Sequence, residues 1–279
     1  VKFHFLLARR TPDVPSQIIL DVSAILGQRG HQVECSIAEE SLNALHEPGG
    51  DADLYLLKSY TEFSLSLAGA LSAQGASLIN PYEGCAAARN KIVCYQMLQQ
   101  SDVPVPRAWI TSDLSMLKDI LRKHPLIVKP YMGWRGEGIQ VIRHESDLSG
   151  LRQPSSPLLI QEYIENAGED LRLYVAGDEV FGIRKQFSRS SFAVDGEPTP
   201  VSTEMRDLAL CCGRVFGLRL YGIDVIEGRE GPRVVDVNYF PGYKGVPGAA
   251  YPVADCIENY AMSLRWIRRP ATRLLGATI

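Results

Sequence analysis

The chain lacks an excess of charge of either sign: 29 Lys and Arg stand against 32 Asp and Glu, a formal net charge of -3. A nucleic-acid binder usually carries a basic excess clustered on one face, and this composition gives no support for one. No apolar run approaches the roughly 20 residues that a membrane-spanning helix requires, and the opening VKFHFLLA is a short apolar strand without the flanks of a secretory leader. The six cysteines (Cys35, Cys85, Cys94, Cys211, Cys212, Cys256) show no C-x-x-C spacing, and the five histidines are isolated. Neither a disulfide framework nor a zinc site is therefore expected; buried free thiols and a cytoplasmic address are. Internal repeats and low-complexity tracts are missing as well.

What is present is an ordinary globular composition, 46% hydrophobic and 22% charged over 279 residues, enough for one large domain or two to three small ones. Residues 1–84 alternate strands (FHFLLA, QVECSI, DLYLLK, ASLIN) with helices over 16–29 and 62–74, ended by Gly30 and Gly75. That rhythm predicts a small open parallel sheet with ligands at its strand C-terminal ends, where Arg9 and Lys58 fall. Boundaries near Pro81 and at the turn-rich RQPSSP divide the chain into 1–84, 85–157 and 158–279. The second segment reads as helix 86–100, strand 105–110, helix 113–123, strand PLIVKP and a glycine-rich hairpin YMGWRGEGIQVIR. The third reads as LLIQEYI, a hairpin DLRLYVAGDEVFGIRKQF, a helix over 203–216, two strands (LYGIDVIE, RVVDVN) and a terminal helix over 253–267.

Several residues in these elements are suited to phosphate chemistry. Asp236 and Asn238 alternate onto one face of a core-like strand in VVDVNYFPGYKGV, and Asp224 lies in the strand before it. Adjacent pairing would gather three oxygen donors, a set that suits magnesium, although turns can also satisfy such groups. Lys129 ends the apolar strand PLIVK, where an unpartnered ammonium is costly and a phosphate is a natural partner. Gly133, Gly136 and Gly138 follow in a loop whose backbone N–H groups can approach an anion, or simply close a tight hairpin. Lys91 opens a helical stretch, and Arg172, Arg184 and Lys185 lie in the hairpin that follows QEYI. These three cations suit charge developing on a transferred phosphoryl group or an oxyanion, and equally suit a strand surface.

Taken in order, Lys91, strand-lysine 129, glycine lid 133–138, Q-E-Y-I, E-D-L-R, the G-I-D strand and D-V-N-x-x-P-G resemble the ATP-grasp superfamily from about residue 80 to 267. The resemblance implies an α/β and α+β molecule: an N-terminal open parallel sheet domain and two α+β lobes enclosing ATP. It implies that Lys91 and Lys129 hold phosphates beneath a lid containing Gly133, Arg135, Gly136 and Gly138. It further implies that Gln161, Glu162, Tyr163 and Ile164 meet adenine, that Asp170 holds the ribose, and that Asp224, Asp236 and Asn238 bind magnesium, two ions replaceable by manganese.

Two branches of that superfamily divide the substrate. LIVKPYMGWRGEGIQVI and GEDLRLYVAGDEV look like RimK-type carboxylate–amine ligases, which usually have Glu where this chain has Asp236; DVNYFPGYKGV is similar to inositol polyphosphate kinases. Residues 1–85 carry five Lys or Arg against ten Asp or Glu, a poor match to a polyphosphate, so the ligase is favoured. The expected substrates are a small-molecule or peptide carboxylate, joined through an acyl phosphate to an amine. Arg172, Arg184 and Lys185 are the expected catalytic cations, with Arg9, Lys58, Asn238, Gly242 and Lys244 at the substrate. The alternatives are a kinase acting on a hydroxyl and a regulatory protein that binds nucleotide without turnover. The terminal helix, with Trp266 and Arg265, Arg268 and Arg269, is expected against the core, with a second subunit as the other option.

Overall fold

The structure is a computed structural model and describes residues 1–9, 15–46, 50–133, 136–149, 151, 154–165, 168–186 and 196–268. The expected β-α alternation forms at the start of the chain: β1 (Lys2–Leu7), α1 (Gln17–Gln28), β2 (Gln32–Ile37), β3 (Leu54–Lys58), α2 (Glu62–Ala73) and β4 (Leu78–Ile79). The four strands run parallel in the order β2-β1-β3-β4. Their core is apolar on both faces, with Phe3, Phe5, Leu54, Leu56 and Leu57 fully buried, as a parallel sheet covered by helices requires.

Two helices follow where the periodicity predicts one, α3 (Tyr82–Arg89) and α4 (Lys91–Gln100). Asn90 is the reason. Its backbone is extended and its Oδ1 accepts from the N–H groups of Ile92 and Val93 at 3.1 and 3.2 Å, an N-cap that an asparagine forms more readily than a helix interior. The break makes Lys91 the first residue of α4, and its backbone N–H reaches Tyr131 O at 2.9 Å.

The second sheet holds β5 (Ala108–Thr111), β6 (Leu126–Pro130), β7 (Gln140–Ile142) and β8 (Leu158–Glu162) in the antiparallel order β5-β8-β6-β7. The predicted strand over 105–110 starts late because Pro104 and Pro106 supply no N–H. The predicted helix over 113–123 is a 3-10 turn (Leu114–Leu117) running into the short α5 (Lys118–Leu121); α6 (Glu145–Leu148) is equally short. Leu114, Leu117, Leu126, Val128, Ile142 and Ile160 form a small core of their own under this sheet. β8 follows RQPSSP, yet it pairs with β5 and β6.

The third sheet contains β9 (Glu169–Ala176), β10 (Glu179–Gln186), β11 (Glu197–Thr199), β12 (Leu220–Gly228) and β13 (Gly231–Tyr239), ordered β11-β10-β9-β12-β13, with α7 (Thr203–Phe216) and α8 (Ala250–Arg268). Ser202 caps α7 through Met205 N–H and Gly217 ends it at φ 66°, the left-handed position that favours glycine. First and third sheets share one hydrophobic core. They are also joined by polar contacts: buried Asn80 bonds Leu220 O, Arg219 N–H and Leu220 N–H at 2.7 to 2.9 Å. No described helix is long and apolar enough to cross a membrane. The side chains of Arg265, Trp266 and Arg268, and all of Arg269, lie outside the described residues.

Candidate active site

The site is built on one line of paired residues across the third sheet. Arg172 on β9 lies opposite Asp224 on β12, and Asp224 lies opposite Asp236 on β13. Directly opposite residues share a face, and alternation adds Asn238 on β13 and Asp170 on β9, the latter opposite Lys185 on β10. The expected oxygen trio is therefore gathered on one face. A β-bulge falls between Asp224 and Val225, and the bulged strand turns the carbonyl of Val235 towards the second sheet, where Lys129 Nζ donates to it at 3.0 Å.

The charges on this face are tightly paired. Lys91 Nζ donates to both oxygens of Asp236, at 2.6 and 2.7 Å, and Arg172 forms a fork on Asp224, with one arm at 2.9 Å. Burial alone would raise the Asp236 carboxyl, but Lys91, Lys129 and Arg172 outweigh it and hold the group below the usual carboxylate range. Lys129, only 5% exposed, is pushed down to about 8 by burial, against the opposing pull of Asp236. The Asp224 carboxylate holds the Arg172 guanidinium firmly charged.

These donors fit a magnesium ion. Among the described residues no group of three or more His, Cys, Asp or Glu could hold a metal; the site offers two carboxylates and an amide oxygen. Magnesium is commonly held by one or two carboxylates completed by substrate phosphates, and the depressed Asp236 is in the ionised form that a ligand must have.

Two hollows flank the Lys91–Asp236 pair. One is lined by Tyr60, Arg89, Gly133, Gly136, Glu137, Asn238 and Tyr239 together with the pair. The other is lined by Cys94, Tyr95, Leu98, Val105, Leu159 and Gln161 together with the pair. Gln161 is 2% exposed and its Oε1 has no hydrogen-bond partner, so an acceptor waits in the second hollow. Gln161 and Lys129 share a face of the second sheet by alternation.

Other expected residues fall elsewhere. Glu162 points to the opposite face from Gln161, where Arg107 meets it at 2.9 and 3.2 Å and His124 at 3.3 Å, so its side chain is engaged away from the hollow. Tyr163 lies under the Arg143 guanidinium at 4.8 Å. Ile164 packs on Gly228, where a Cβ would come within 2.6 Å of it. Arg184 alternates away from Lys185 and pairs with Glu227 at 2.7 Å, both about 40% exposed. Arg9 pairs with Glu40 at the surface. Lys58 reaches Phe240 O at 2.6 Å, joining the first sheet to the exit of β13. Gly242 and Lys244 are exposed in the turn beyond, and Gly138, at φ 73°, closes on Pro130, 2.7 Å from where a Cβ would sit. Arg135 lies outside the described residues.

Arg184→Ala should accordingly leave ADP release within about threefold and stability within ~1 kcal/mol, as for other exposed ion pairs. Steady-state assay and thermal unfolding check this; a loss comparable to that of Arg172→Ala would return Arg184 to the site.

Sequence reasoning missed Arg89, Tyr60 and Tyr239. Arg89 ends α3 and its Nη1 donates to Gly133 O at 2.6 Å. Tyr60 stacks on Tyr239 at 4.7 Å between ring centroids and donates to the Tyr239 carbonyl, while Tyr239 donates to Ser59 O at 2.7 Å. The proximity of Arg89 to Lys91 in ARNK was the available signal; the tyrosines come from separate segments.

Comparison with known proteins adds four findings. Residues 88–250 match the model of the RimK-like ATP-grasp domain. A ribosomal protein bS6–L-glutamate ligase of Escherichia coli O81 (strain ED1a) is 30% identical over 216 residues, covering 71% of this chain and 69% of the relative. A RimK domain ATP-grasp protein from Sphaerobacter thermophilus DSM 20745 superposes with a TM-score of 0.76 at 19% identity, covering 94% of this chain and all of that one. The ATP-grasp ligase PsnB, complexed with minimal precursor, Mg and ADP, gives 0.69 at 20% identity, over 93% of this chain and 97% of that one. At these identities the structural likenesses speak for the fold.

Proposed function

Because the chain belongs to the RimK-like ATP-grasp family and is an ATP-dependent carboxylate–amine ligase that uses magnesium, we propose that it adds an amino acid, with L-glutamate as the leading candidate, to the carboxylate of a peptide or protein through an acyl phosphate. The observation that carries this reading is the face shared by Asp224, Asp236 and Asn238, bordered by Lys91, Lys129 and Arg172, with Asp236 and Asn238 lining the hollow beside Tyr60 and Arg89. The glutamate-ligase relatives support the choice of amino acid, and the structural neighbour with a peptide precursor agrees with a peptide substrate.

In this reading Gln161 meets the adenine, and its orphan Oε1 would accept from the exocyclic amine. Lys129 and Lys91 hold the phosphates, Lys91 leaving Asp236 to do so. Asp236, Asp224 and Asn238 would hold magnesium, two ions replaceable by manganese, which would supply neutralisation of the phosphate charge. The acceptor carboxylate attacks the γ-phosphorus from the side of Tyr60 and Arg89, ADP departs, and the amine displaces phosphate from the acyl phosphate. Arg172, oriented by Asp224, and the buried Lys185 offset the negative charge that develops. The reaction belongs to the cytoplasm, where ATP is available and the free cysteines remain reduced.

The test is ATP consumption with magnesium against mixed pools of amino acids, short peptides and inositol phosphates, with ADP and free phosphate followed separately. Equal release of both, only when a carboxylate and an amine are present together, is expected. ADP without free phosphate, with phosphate retained on a hydroxyl, means a kinase and sinks the reading; no turnover with any pool returns the chain to a regulatory role.

A further inference from the structure

Resting on the ligase reading, we propose that Arg89 binds the carboxylate of the incoming amino acid, L-glutamate, a role taken from its place relative to the two hollows. Lys91 and Asp236 are the wall that both hollows share. The hollow on the far side contains Gln161, where the base lies, and does not contain Arg89. The hollow on the near side contains Arg89, Asn238 and Tyr60 and does not contain Gln161. A nucleotide that starts at Gln161 crosses the shared wall at Lys91 and Asp236, and its terminal phosphate ends beside Asn238 in the near hollow. The space beyond it, facing the first sheet, is where an attacking group has to stand.

Arg89 is the guanidinium in that space. Lys91 and Lys129 are compact point charges suited to phosphate, whereas a planar guanidinium matches a carboxylate with two parallel N–H bonds. Its one described hydrogen bond, from Nη1 to Gly133 O, takes one of five donors and ties the residue to the lid. The break at Asn90 separates Arg89 from Lys91 by one extended residue, so the two cations serve different halves of the site: Lys91 reaches Asp236 while Arg89 reaches the lid. One side chain thereby meets both the lid and the incoming amino acid.

The probe is L-glutamate, titrated into the protein saturated with ADP and magnesium, with binding read by NMR saturation transfer and ADP affinity measured in parallel. Arg89→Met is expected to weaken L-glutamate binding at least tenfold while ADP affinity stays within twofold; Arg89→Lys, which keeps the charge and loses the fork, is expected to fall between. Should Arg89→Met not fold, Arg89→Lys alone decides, with the same required split. A loss of ADP affinity makes Arg89 a phosphate residue and overturns the proposal, as does unchanged L-glutamate binding or the absence of saturable binding to the unaltered protein. The ligase reading is tested separately by phosphate release: L-glutamate bound through Arg89 in an enzyme that releases no phosphate would keep the site and remove the reaction.

Discussion

Asp236→Asn is expected to lower ADP formation by on the order of 10³-fold, because it removes the carboxylate that holds the metal against the developing charge. In the unliganded protein the same change leaves Lys91 without its two bonds of 2.6 and 2.7 Å. Lys129 would then also lack the carboxylate that most favours its charge. Removing one partner of such a pair is strongly destabilising, so the unfolding midpoint should fall too. Asp236→Glu separates the two effects. It keeps the carboxylate and introduces the residue usual in RimK-type ligases, and turnover should stay within about tenfold of the parent. If Asp236→Asn retains the parent rate with magnesium ATP, the metal assignment is wrong whatever the stability data say.

Lys129→Met should abolish nucleotide binding and at the same time stabilise the unliganded protein. The ammonium is buried, bonded to one carbonyl, and its pKa is about 8 instead of the usual 10.5. With the folded value below the unfolded one, the folded state carries the full cost of the buried charge below pH 8. Between about 8 and 10.5 it releases the proton that the unfolded chain keeps, so this group makes stability rise with pH in that window. Methionine fills the same space without charge. Its variant should unfold roughly 2–5 °C higher at pH 7 and lose that slope in thermal melts across pH 7–10. Phosphates should restore the ammonium, so the unaltered protein should take up protons on binding ADP at pH 8. Calorimetry in buffers of different ionisation enthalpy reads that uptake, and a buffer-independent heat would contradict it. A lower midpoint for Lys129→Met would mean that the ammonium supports Asp236 more than burial opposes it.

Much of this molecule is readable without coordinates because its strands are clear in pattern. The parallel sheet of residues 1–84 follows from apolar runs punctuated by Gly30 and Gly75, and α7 begins and ends where Ser202 and Gly217 require. Alternation in VVDVN was enough to place Asp236 and Asn238 on one face, and pairing with β12 supplied Asp224. Side chains whose partners come from distant segments were harder. Nothing near Arg184 in sequence announces Glu227, and nothing near Glu162 announces Arg107 and His124. Asn90 was read as one more helical residue although its side chain forms a cap. That break sets the direction of Arg89 and Lys91, so a local misreading concealed one wall of the site.

The shape of the core bears on how such a site works. The first and third sheets are continuous through shared apolar residues and through Asn80, whereas the second sheet packs on its own small core. Lys129 nevertheless reaches across to Val235 from that second sheet. The two lysines proposed to hold the phosphates thus come from different elements, Lys129 from the second sheet and Lys91 from α4. Nucleotide binding would draw the two sides together through charge rather than through apolar contact.

The measurement that tests the central claim most directly is the fate of oxygen from the acceptor carboxylate. With the acceptor found in the pools labelled with ¹⁸O, one labelled oxygen should appear in the released phosphate for each amide bond formed, because the acyl phosphate transfers that oxygen with the phosphoryl group. Unlabelled phosphate alongside the new amide, or a phosphoryl group retained on a hydroxyl with no phosphate released, would contradict the account.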